Sequence, residues 1–410
     1  MKHFIEKKVS VIPFSCTRDG LTIRGKAMIP TKAKSSKLTP VIVSHGFMAD
    51  MRSTAGYCRK LAGWGFAAFC FDFAGGCLRG TSDGKTTEMS VFTEVEDLLA
   101  VIDYVGSLPD VDISKLILMG CSQGGFVSAI TAAKLQEKVA RLILFYPALC
   151  IPDDARAGHM MMARFDPENI PETLNCGPMK LGRVYPASVI DKDPNELIQS
   201  YQGPVTIIHG DADEIVALRY SESAMAAYQA HRDTKGLRLP HADAQLFVIR
   251  GAGHGFKGQE DSLAMEIVKQ VLHNRFCALE VEVELTGHEM KKEGGKTYLI
   301  LPFTGKAVGP YFKGEIEEGA ADEQERGGIA GEKLIHACAD YVVKGEDFTG
   351  GSCEMHIINR NDGKKWVPEV HTDSMVMDFI NHCQGRTVFE GRKIGPVIRI
   401  FYRAEERKES

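Results

Sequence analysis

The segment Gly120-Cys-Ser-Gln-Gly124 places a serine between two glycines, with one residue on either side of it. The apolar run Leu116–Met119 precedes the segment and an apolar helical pattern follows, which is the strand–turn–helix context that a G-x-S-x-G nucleophile turn requires. The glycines let strand and helix pass close together, so that the Ser122 hydroxyl stands free at the end of the strand. The pattern predicts a nucleophilic serine for acyl transfer, with an ordinary glycine turn as the alternative.

A serine hydroxyl needs a neighbouring base, and that base needs an acid to orient it. The apolar run Val205–Ile208 ends in a loop that contains the carboxylates Asp211, Asp213 and Glu214. Where a nucleophile turn of this type occurs, the acid and then the histidine follow the serine along the chain, at the ends of later strands. We predict that Asp213 is the orienting acid. Asp211 and Glu214 are the competing candidates, and an N-cap of the next helix is the structural alternative.

The candidate base is His254, which lies between glycines in the loop that follows the apolar run Leu246–Ile249. Its small neighbours leave the imidazole free to turn toward Ser122. His209 also ends a strand, but it precedes the acid, so the chain order makes it a poor base and favours a packing role. A structural role is the alternative for His254 as well.

A tetrahedral oxyanion needs two preorganised N–H donors. The residue after the nucleophile, Gln123, is expected to supply one of them through its backbone. The early segment Ser44-His-Gly-Phe-Met48 follows an apolar run and turns at Gly46, which directs the Phe47 N–H inward. We predict that Phe47 and Gln123 form the oxyanion hole, with an ordinary glycine turn as the alternative at Gly46.

These candidates need a sheet whose strands end at one edge. Continuous apolar runs alternate with helical patterns up to about residue 275, and such runs suit strands buried on both faces of a parallel sheet. The clearest helix has apolar residues at helical spacing from Val91 to Val105. Two strands before residue 40, separated by the turn Arg18-Asp-Gly20, are predicted to form an antiparallel edge hairpin. The alternation predicts an α/β fold with a doubly wound, mostly parallel sheet.

Two changes of pattern divide the chain. Residues 150–202 are rich in Pro, Asp and Met and contain no long periodic helix, which predicts an inserted lid or binding loop without regular elements. After Cys277, Leu279–Leu285 alternates strictly between apolar and acidic residues, and short alternating runs with Gly-rich turns follow. We predict a first domain over 1–276 and a small all-β barrel over 278–410. The role of the barrel is left open between ligand binding and oligomerisation, so a homo-oligomer is one alternative.

Composition restricts the partners and the compartment. The 410 residues are 44% hydrophobic and 25% charged, with a net charge of −5, so neither a nucleic acid nor a membrane is an expected partner. The first residues lack an apolar core of signal-peptide length, and the 11 cysteines are scattered without C-x-x-C pairs. We therefore expect free thiols, a cytoplasmic location and no metal site. No cofactor is implied, because the phosphate-binding pattern G-x-x-x-x-G-K-[ST] does not occur.

Over about residues 10–275, the ordered set of motifs resembles the α/β-hydrolase superfamily and, more narrowly, the bacterial cinnamoyl and feruloyl esterases. The resemblance is carried by Ser44-His-Gly-Phe47, Phe71-Asp-Phe73, Ser82-Asp-Gly84, Glu96-Asp-Leu-Leu99, the Ser122 turn, His209-Gly-Asp-Ala-Asp213 and Gly253-His254. It implies a Ser122–Asp213–His254 triad and an acyl-enzyme intermediate. The C-terminal region resembles a family of small β-barrel domains of unknown function.

The same resemblance extends to the inserted segment, which in those esterases forms the pocket for the aromatic acid. There an acid and a tyrosine contact the phenolic hydroxyl, and the matching positions here are Asp154 and Tyr185. A solvated loop acid and a packing tyrosine are the alternatives. Cys121 stands where many relatives have histidine, the loop Ala74–Gly80 is longer than usual, and Met160–Met162 adds an apolar cluster. These departures leave the ester hydrolase prediction intact and the acyl group open.

The predicted activity is that of a serine carboxylic ester hydrolase, acting on hydroxycinnamoyl (feruloyl-type) or other small acyl esters. An acylglycerol lipase, a thioesterase and an acylaminoacyl-type peptidase use the same triad and are the enzymatic alternatives. A binding protein on an inactive hydrolase fold is the alternative outside catalysis, and the presence of every site element in the sequence argues against it. The expected partner is a small-molecule ester.

Overall fold

The structure is a computed structural model and describes residues 8–31, 37–233, 244–273, 275–294, 296–328, 333–361, 365–383, 385–391 and 395–403. Contacts divide the chain into two compact units, the first ending at Glu260 and the second continuing from Asp261. The division falls inside a helix. The domain boundary near residue 277 remains a prediction.

Strands and helices alternate through the first unit. Its strands are β1 (Val9–Arg18), β2 (Leu21–Pro30), β3 (Pro40–Ser44), β4 (Ala67–Phe71), β5 (Ile117–Cys121), β6 (Arg141–Phe145), β7 (His159–Met160), β8 (Ala163–Arg164), β9 (Thr173–Asn175), β10 (Lys180–Gly182), β11 (Val205–Gly210) and β12 (Ala244–Ile249). Its helices are α1 (Met51–Trp64), α2 (Val91–Gly106), α3 (Gln123–Leu135), α4 (Ile151–Arg156), α5 (Val184–Val189), α6 (Pro194–Ile198) and α7 (Arg219–Asp233), and α8 (Gln259–Leu272) contains the division.

The main sheet has the order β1-β2-β4-β3-β5-β6-β11-β12. β1 and β2 form an antiparallel hairpin, β2 pairs antiparallel with β4, and the other pairings are parallel. Every residue of β3 and β5 is buried, as continuous apolar strands require when helices cover both faces of a sheet. The predicted α/β fold, with its mostly parallel sheet and antiparallel edge hairpin, is confirmed.

Helix α2 carries two carboxylates on its buried face. The side chain of Ser90 caps the helix, and Glu94 and Asp97 follow among buried apolar residues. Asp97 accepts a hydrogen bond from Nε of Arg18 at 2.7 Å and one from the backbone N–H of Ala74 at 2.8 Å. Burial raises the pKa of Asp97 to about 6, although the Arg18 guanidinium opposes the shift. These two acids reach the loops around the site described below.

The inserted segment between β6 and β11 is more regular than predicted. It contains α4, α5 and α6 and the antiparallel hairpins β7–β8 and β9–β10, so the prediction of a stretch without regular elements is wrong. Elements of two to six residues are too short to show a hydrophobic period in the sequence. Leu174, Leu181 and Tyr185 from this segment join the core of the first unit.

The second unit is built of antiparallel strands after α8. They are β13 (Arg275–Leu285), β14 (Glu289–Glu293), β15 (Lys296–Val308), β16 (Phe312–Ile316), β17 (Ala321–Gly327), β18 (Lys333–Asp347), β19 (Ser352–Asn361), β20 (Trp366–Thr372), β21 (Gly385–Glu390) and β22 (Val397–Arg403). The sheet order is β20-β19-β18-β16-β15-β13-β22-β21, and β17 pairs with both β15 and β18. The predicted all-β, barrel-like second part is therefore confirmed.

All 11 cysteines are free thiols, as the sequence analysis expects. Across the described residues, no helix combines the length and the apolar character that crossing a membrane requires.

Two glycines allow α3 to pack closely against β5 and the end of β3 around the Ser122 turn. A Cβ added at Gly124 would overlap the carbonyl oxygen of His45, and one added at Gly120 would overlap the carbonyl oxygen of Gly124. Because these obstacles are backbone atoms, they yield only if the sheet and the helix move apart. Gly124→Ala is therefore expected to lower the free energy of unfolding by about 3 kcal/mol or more.

Urea unfolding of the variant and the wild type measures this difference. The matched control is Gly56→Ala in α1, where an added Cβ meets no heavy atom within 4 Å. Alanine favours a helix more than glycine does, so this control is expected to raise the stability by about 1 kcal/mol. Equal stability of Gly124→Ala and the wild type would contradict the close packing of the turn.

Candidate active site

Ser122 lies at the turn between β5 and α3, with φ of 54° and ψ of −121°. Residues other than glycine rarely adopt this conformation, and such strain concentrates at functional sites. The Ser122 N–H donates to the carbonyl oxygen of Phe145 at 2.9 Å, and the Ser122 carbonyl accepts the N–H groups of Gly125 and Ala148 at 2.9 and 3.0 Å. These backbone hydrogen bonds hold the strained serine in place.

The structure brings Ser122, His254 and Asp213 into one hydrogen-bonded line. Nε2 of His254 lies 3.0 Å from Oγ of Ser122, and Nδ1 lies 2.8 Å from Oδ2 of Asp213. In this geometry Nδ1–H donates to the carboxylate and Nε2 faces the serine hydroxyl, which is the arrangement that a general base needs. Tyr146 packs against the imidazole, with the two ring centroids 4.7 Å apart.

The Asp213 carboxylate is buried and accepts several hydrogen bonds. Oδ1 accepts the backbone N–H groups of Ile215 and Val216, both at 2.9 Å, and Oδ2 also lies 3.2 Å from Nε2 of His209. Burial alone would raise the pKa of Asp213, but hydrogen bonds from the two histidines and a backbone N–H hold this pKa below its usual range. The carboxylate is therefore ionised at neutral pH and able to stabilise an imidazolium.

His209 does more than the predicted packing role suggests. It is fully buried, its Nδ1 lies 2.6 Å from Oγ of Ser221, and its Nε2 lies 2.9 Å from the carbonyl oxygen of Val216 and 3.2 Å from Oδ2 of Asp213. Its position at the end of β11, four residues before the acid, is the sequence signal for the contact with Asp213. Of the competing acids, Asp211 accepts the N–H of Gly251 at 2.5 Å, and Glu214 lines the cavity described below.

Phe47 and Gln123, the predicted oxyanion donors, both lie beside Ser122. The loop passes directly over the serine, because a Cβ added at Gly46 would lie 3.0 Å from Cβ of Ser122. Within the part of the chain that the structure describes, the backbone N–H groups of Phe47 and Gln123 have no hydrogen-bond acceptor. Both N–H groups are therefore available to an oxyanion on a substrate attached to Ser122.

Both polar atoms of the Gln123 side-chain amide have hydrogen-bond partners. Its Nε2 donates to Oε2 of Glu94 at 2.7 Å, and the Tyr185 hydroxyl donates to its Oε1. All three side chains are buried, and burial raises the pKa of Glu94 well above its usual value. Sequence reasoning missed Glu94, although a carboxylate on the apolar face of α2 is a signal that could have identified it.

Behind the loop that carries Phe47, the side chains of His45, Asp72 and Cys77 place potential metal-ligand atoms within 4.8 Å of one another. Nε2 of His45 accepts the N–H of Phe73 at 3.2 Å and lies 3.1 Å from Sγ of Cys77, and Asp72 accepts two backbone N–H groups at 2.7 Å. Nδ1 of His45 lies 2.8 Å from the carbonyl oxygen of Gly46. Burial lowers the pKa of His45 and raises that of Cys77. Because these side-chain atoms already have hydrogen-bond partners, the group stabilises the loop that carries Phe47.

A cavity of about 360 Å³ includes Ser122. Its other lining residues are Phe47, Gln123, Ala148, Cys150, Ile151, Asp154, His159, Met160, Met161, Arg164, Tyr185, Glu214, Ile215 and Val216. Both residues predicted for the phenolic hydroxyl, Asp154 and Tyr185, are therefore in the cavity of the nucleophile. A larger cavity of about 600 Å³ is lined by residues of the β1–β2 hairpin and excludes Ser122, so the hydrogen-bonded line identifies the smaller one as the site.

Comparison with known proteins agrees with this architecture. Residues 36–184 match a family described as serine aminopeptidase, S33. The structure of Est1E from Butyrivibrio proteoclasticus with ferulic acid bound is 27% identical, with a TM-score of 0.56, and the match covers 63% of this chain and 98% of that one. A second structure of Est1E is 25% identical, with a TM-score of 0.53, and the match covers 63% of this chain and 97% of that one. The first part of this chain thus has the α/β-hydrolase fold and is similar to Est1E.

Proposed function

We propose that this α/β-hydrolase is a serine carboxylic ester hydrolase for hydroxycinnamoyl (feruloyl-type) or similar small acyl esters. The observation that carries the proposal is the line Ser122–His254–Asp213, with distances of 3.0 and 2.8 Å, at a cavity that also contains two free backbone donors. The similarity to Est1E, whose structure holds ferulic acid, supports the choice of acyl group.

The proposed reaction is a two-step acyl transfer. His254 takes the proton of Ser122 as the hydroxyl attacks the ester carbonyl, and the N–H groups of Phe47 and Gln123 hold the resulting oxyanion. His254 then protonates the leaving alcohol, which leaves an acyl-enzyme. In the second step His254 takes a proton from water, the resulting hydroxide attacks the acyl carbon, and the proton returns to the serine as the acid departs. Asp213 stabilises the imidazolium in both steps. The reaction uses no cofactor.

The wall of the cavity suits an acyl group that carries a hydrogen-bond donor. Burial raises the pKa of Asp154, and its Oδ1 lies 3.6 Å from Nε2 of His159. The proton of the Tyr185 hydroxyl is engaged by Gln123, so this oxygen accepts further hydrogen bonds and donates none. A phenolic hydroxyl can donate its single hydrogen bond to either of these two oxygens.

Asp154→Ala is therefore expected to reduce kcat/KM for methyl ferulate by about 10- to 100-fold, the usual effect of losing a hydrogen bond to a carboxylate. Methyl 4-methoxycinnamate has no phenolic donor, so its kcat/KM should change little. The matched control is Asp153→Ala, because Asp153 pairs with Arg156 and Tyr220 and is not among the residues that line the cavity. Equal losses on both esters would contradict the proposed contact.

The function is tested by hydrolysis of an ester panel with the full chain. The panel contains methyl ferulate, methyl p-coumarate, p-nitrophenyl esters of rising chain length, an acyl thioester and an aminoacyl anilide. The highest kcat/KM on the hydroxycinnamates is the expected result. Preference for another member would replace the acyl assignment and retain the mechanism. No hydrolysis of any member, together with no labelling of Ser122 by a fluorophosphonate, would support a non-catalytic binding protein.

We also propose that the enzyme is cytoplasmic and that neither a nucleic acid nor a membrane is its partner. The free thiols and the net charge of −5 support this assignment.

A further inference from the structure

Gln123 is the one proposed oxyanion donor whose side chain joins a buried network. The amide is 1% exposed, and a buried amide is stable only when its polar atoms find partners. Its N–H donates to Glu94 at 2.7 Å and its oxygen accepts from Tyr185. Because donor and acceptor are satisfied on opposite sides, rotation of the amide would break both bonds. The side chain therefore fixes the first residue of α3.

Glu94 is itself held in place by the loop that covers it. It lies in the first turn of α2, and a Cβ added at Gly76 would lie 2.5 Å from its Oε1. Asp97, one turn further along α2, binds the same loop through the N–H of Ala74 at 2.8 Å. Burial raises the pKa of Glu94, which favours the uncharged carboxyl form in this surrounding.

Contact with a substrate does not explain the position of Glu94. Glu94 is not among the residues that line the cavity of Ser122, yet it is only 1% exposed. Burying a carboxyl group is unfavourable unless a specific interaction offsets it, and this carboxyl accepts a hydrogen bond from the side chain of Gln123.

We propose that Glu94 is a positioning residue for the oxyanion hole. By accepting a hydrogen bond from the Gln123 side chain, Glu94 holds the Gln123 backbone N–H in place. Tyr185 links the same amide to the inserted segment, so the pocket wall and the oxyanion hole share one hydrogen-bonded unit. This inference rests on the proposed function, because it assigns an oxyanion to the Gln123 N–H. An oxyanion donor contributes about 10²- to 10³-fold to turnover, and misplacing it forfeits part of that factor.

The test uses Glu94→Leu and Glu94→Gln in the full chain. Leucine is of similar size but accepts no hydrogen bond, so kcat per active site for methyl ferulate should fall by about 10- to 100-fold with little change in KM. Glutamine keeps an acceptor oxygen and no charge, so Glu94→Gln should restore at least half of the wild-type kcat. Glu96→Gln is the control on the same helix, since Glu96 is exposed and pairs with Lys134 at 2.9 Å.

Binding of a trifluoromethyl ketone, which forms a tetrahedral oxyanion on the serine, separates positioning from simple loss of structure. In Glu94→Leu its affinity should weaken in proportion to kcat, while the inhibition constant of coniferyl alcohol, a neutral analogue without a carbonyl oxygen for the oxyanion hole, stays unchanged. A purely structural role would lower the concentration of active sites and leave kcat per site intact. If Glu94→Leu does not fold, Gln123→Met, which keeps the backbone N–H and loses both side-chain bonds, should show the same losses.

Different results would contradict the positioning role and the esterase function. Wild-type ester hydrolysis with unaltered kcat and ketone affinity in Glu94→Leu, or in Gln123→Met where that variant replaces it, overturns the positioning role and leaves the esterase proposal standing. Absence of ester hydrolysis by the wild type overturns both.

Discussion

Ser122→Ala is expected to reduce kcat for methyl ferulate by about 10⁴- to 10⁶-fold. The variant removes the atom that forms the acyl-enzyme, and His254 is left without a hydroxyl to deprotonate. KM should change little, because the cavity wall and the oxyanion donors remain. Steady-state hydrolysis with enzyme purified from a host that lacks the wild-type gene product measures this effect, since contaminating activity sets the lower limit.

The control for this variant is Ser128→Ala. Ser128 is a buried serine of the same helix, α3, and its hydroxyl has no hydrogen-bond partner among the residues that the structure describes. Removing that hydroxyl should leave kcat unchanged. Ester hydrolysis by Ser122→Ala at the wild-type rate would contradict the proposed mechanism.

Asp213→Asn is expected to lower kcat by about 10⁴-fold. An amide in this position no longer requires the tautomer of His254 that donates from Nδ1, and it does not stabilise the imidazolium. The binding of ferulate should persist, because the change leaves the shape of the side chain intact. Asp211→Asn is the matched control in the same loop, and it should retain activity because its oxygen can still accept the Gly251 N–H.

The same variant has a second readout in the pH dependence of stability. The pKa of Asp213 is lower in the folded chain than its ordinary value of 3.8, so the folded state gains stability from the ionised form. That contribution is complete above the unfolded pKa and is lost as the pH falls toward the folded pKa. The stability difference between wild type and Asp213→Asn should therefore shrink below about pH 4. A constant difference through that range would contradict the lowered pKa.

Much of the first unit could be predicted from the sequence because its signals are local. Strands such as β3 and β5 are buried on both faces and therefore appear as continuous apolar runs. Parallel strands end at one edge of the sheet, so loops that follow such runs and carry Ser122, Asp213 or His254 are brought together by the topology alone. The structure places these three side chains within hydrogen-bonding distance.

The remaining features depend on contacts that a local pattern does not contain. The hairpins of the inserted segment have strands of two or three residues, which are too short to show a period in the sequence. Packing against the core of the first unit stabilises them. Acidic residues are common in the first turn of a helix, where they interact favourably with the helix dipole, and in the sequence Glu94 looks like one of these. Its place on the apolar face of α2 could have marked it as unusual, but only the hydrogen bond in the folded chain shows that its partner is Gln123.

The separation of Ser122 and His254 by 132 positions has a consequence for how the protein acquires its activity. Contacts between distant parts of a chain form late, because closing a long loop loses entropy before any contact compensates. His254 follows β12, which occupies the end of the parallel sheet and pairs with β11. A nascent or collapsed chain in which this strand is unpaired has a serine without a base. Hydrolytic activity therefore appears only when the sheet of the first unit is complete. The onset of activity marks the end of folding rather than its beginning.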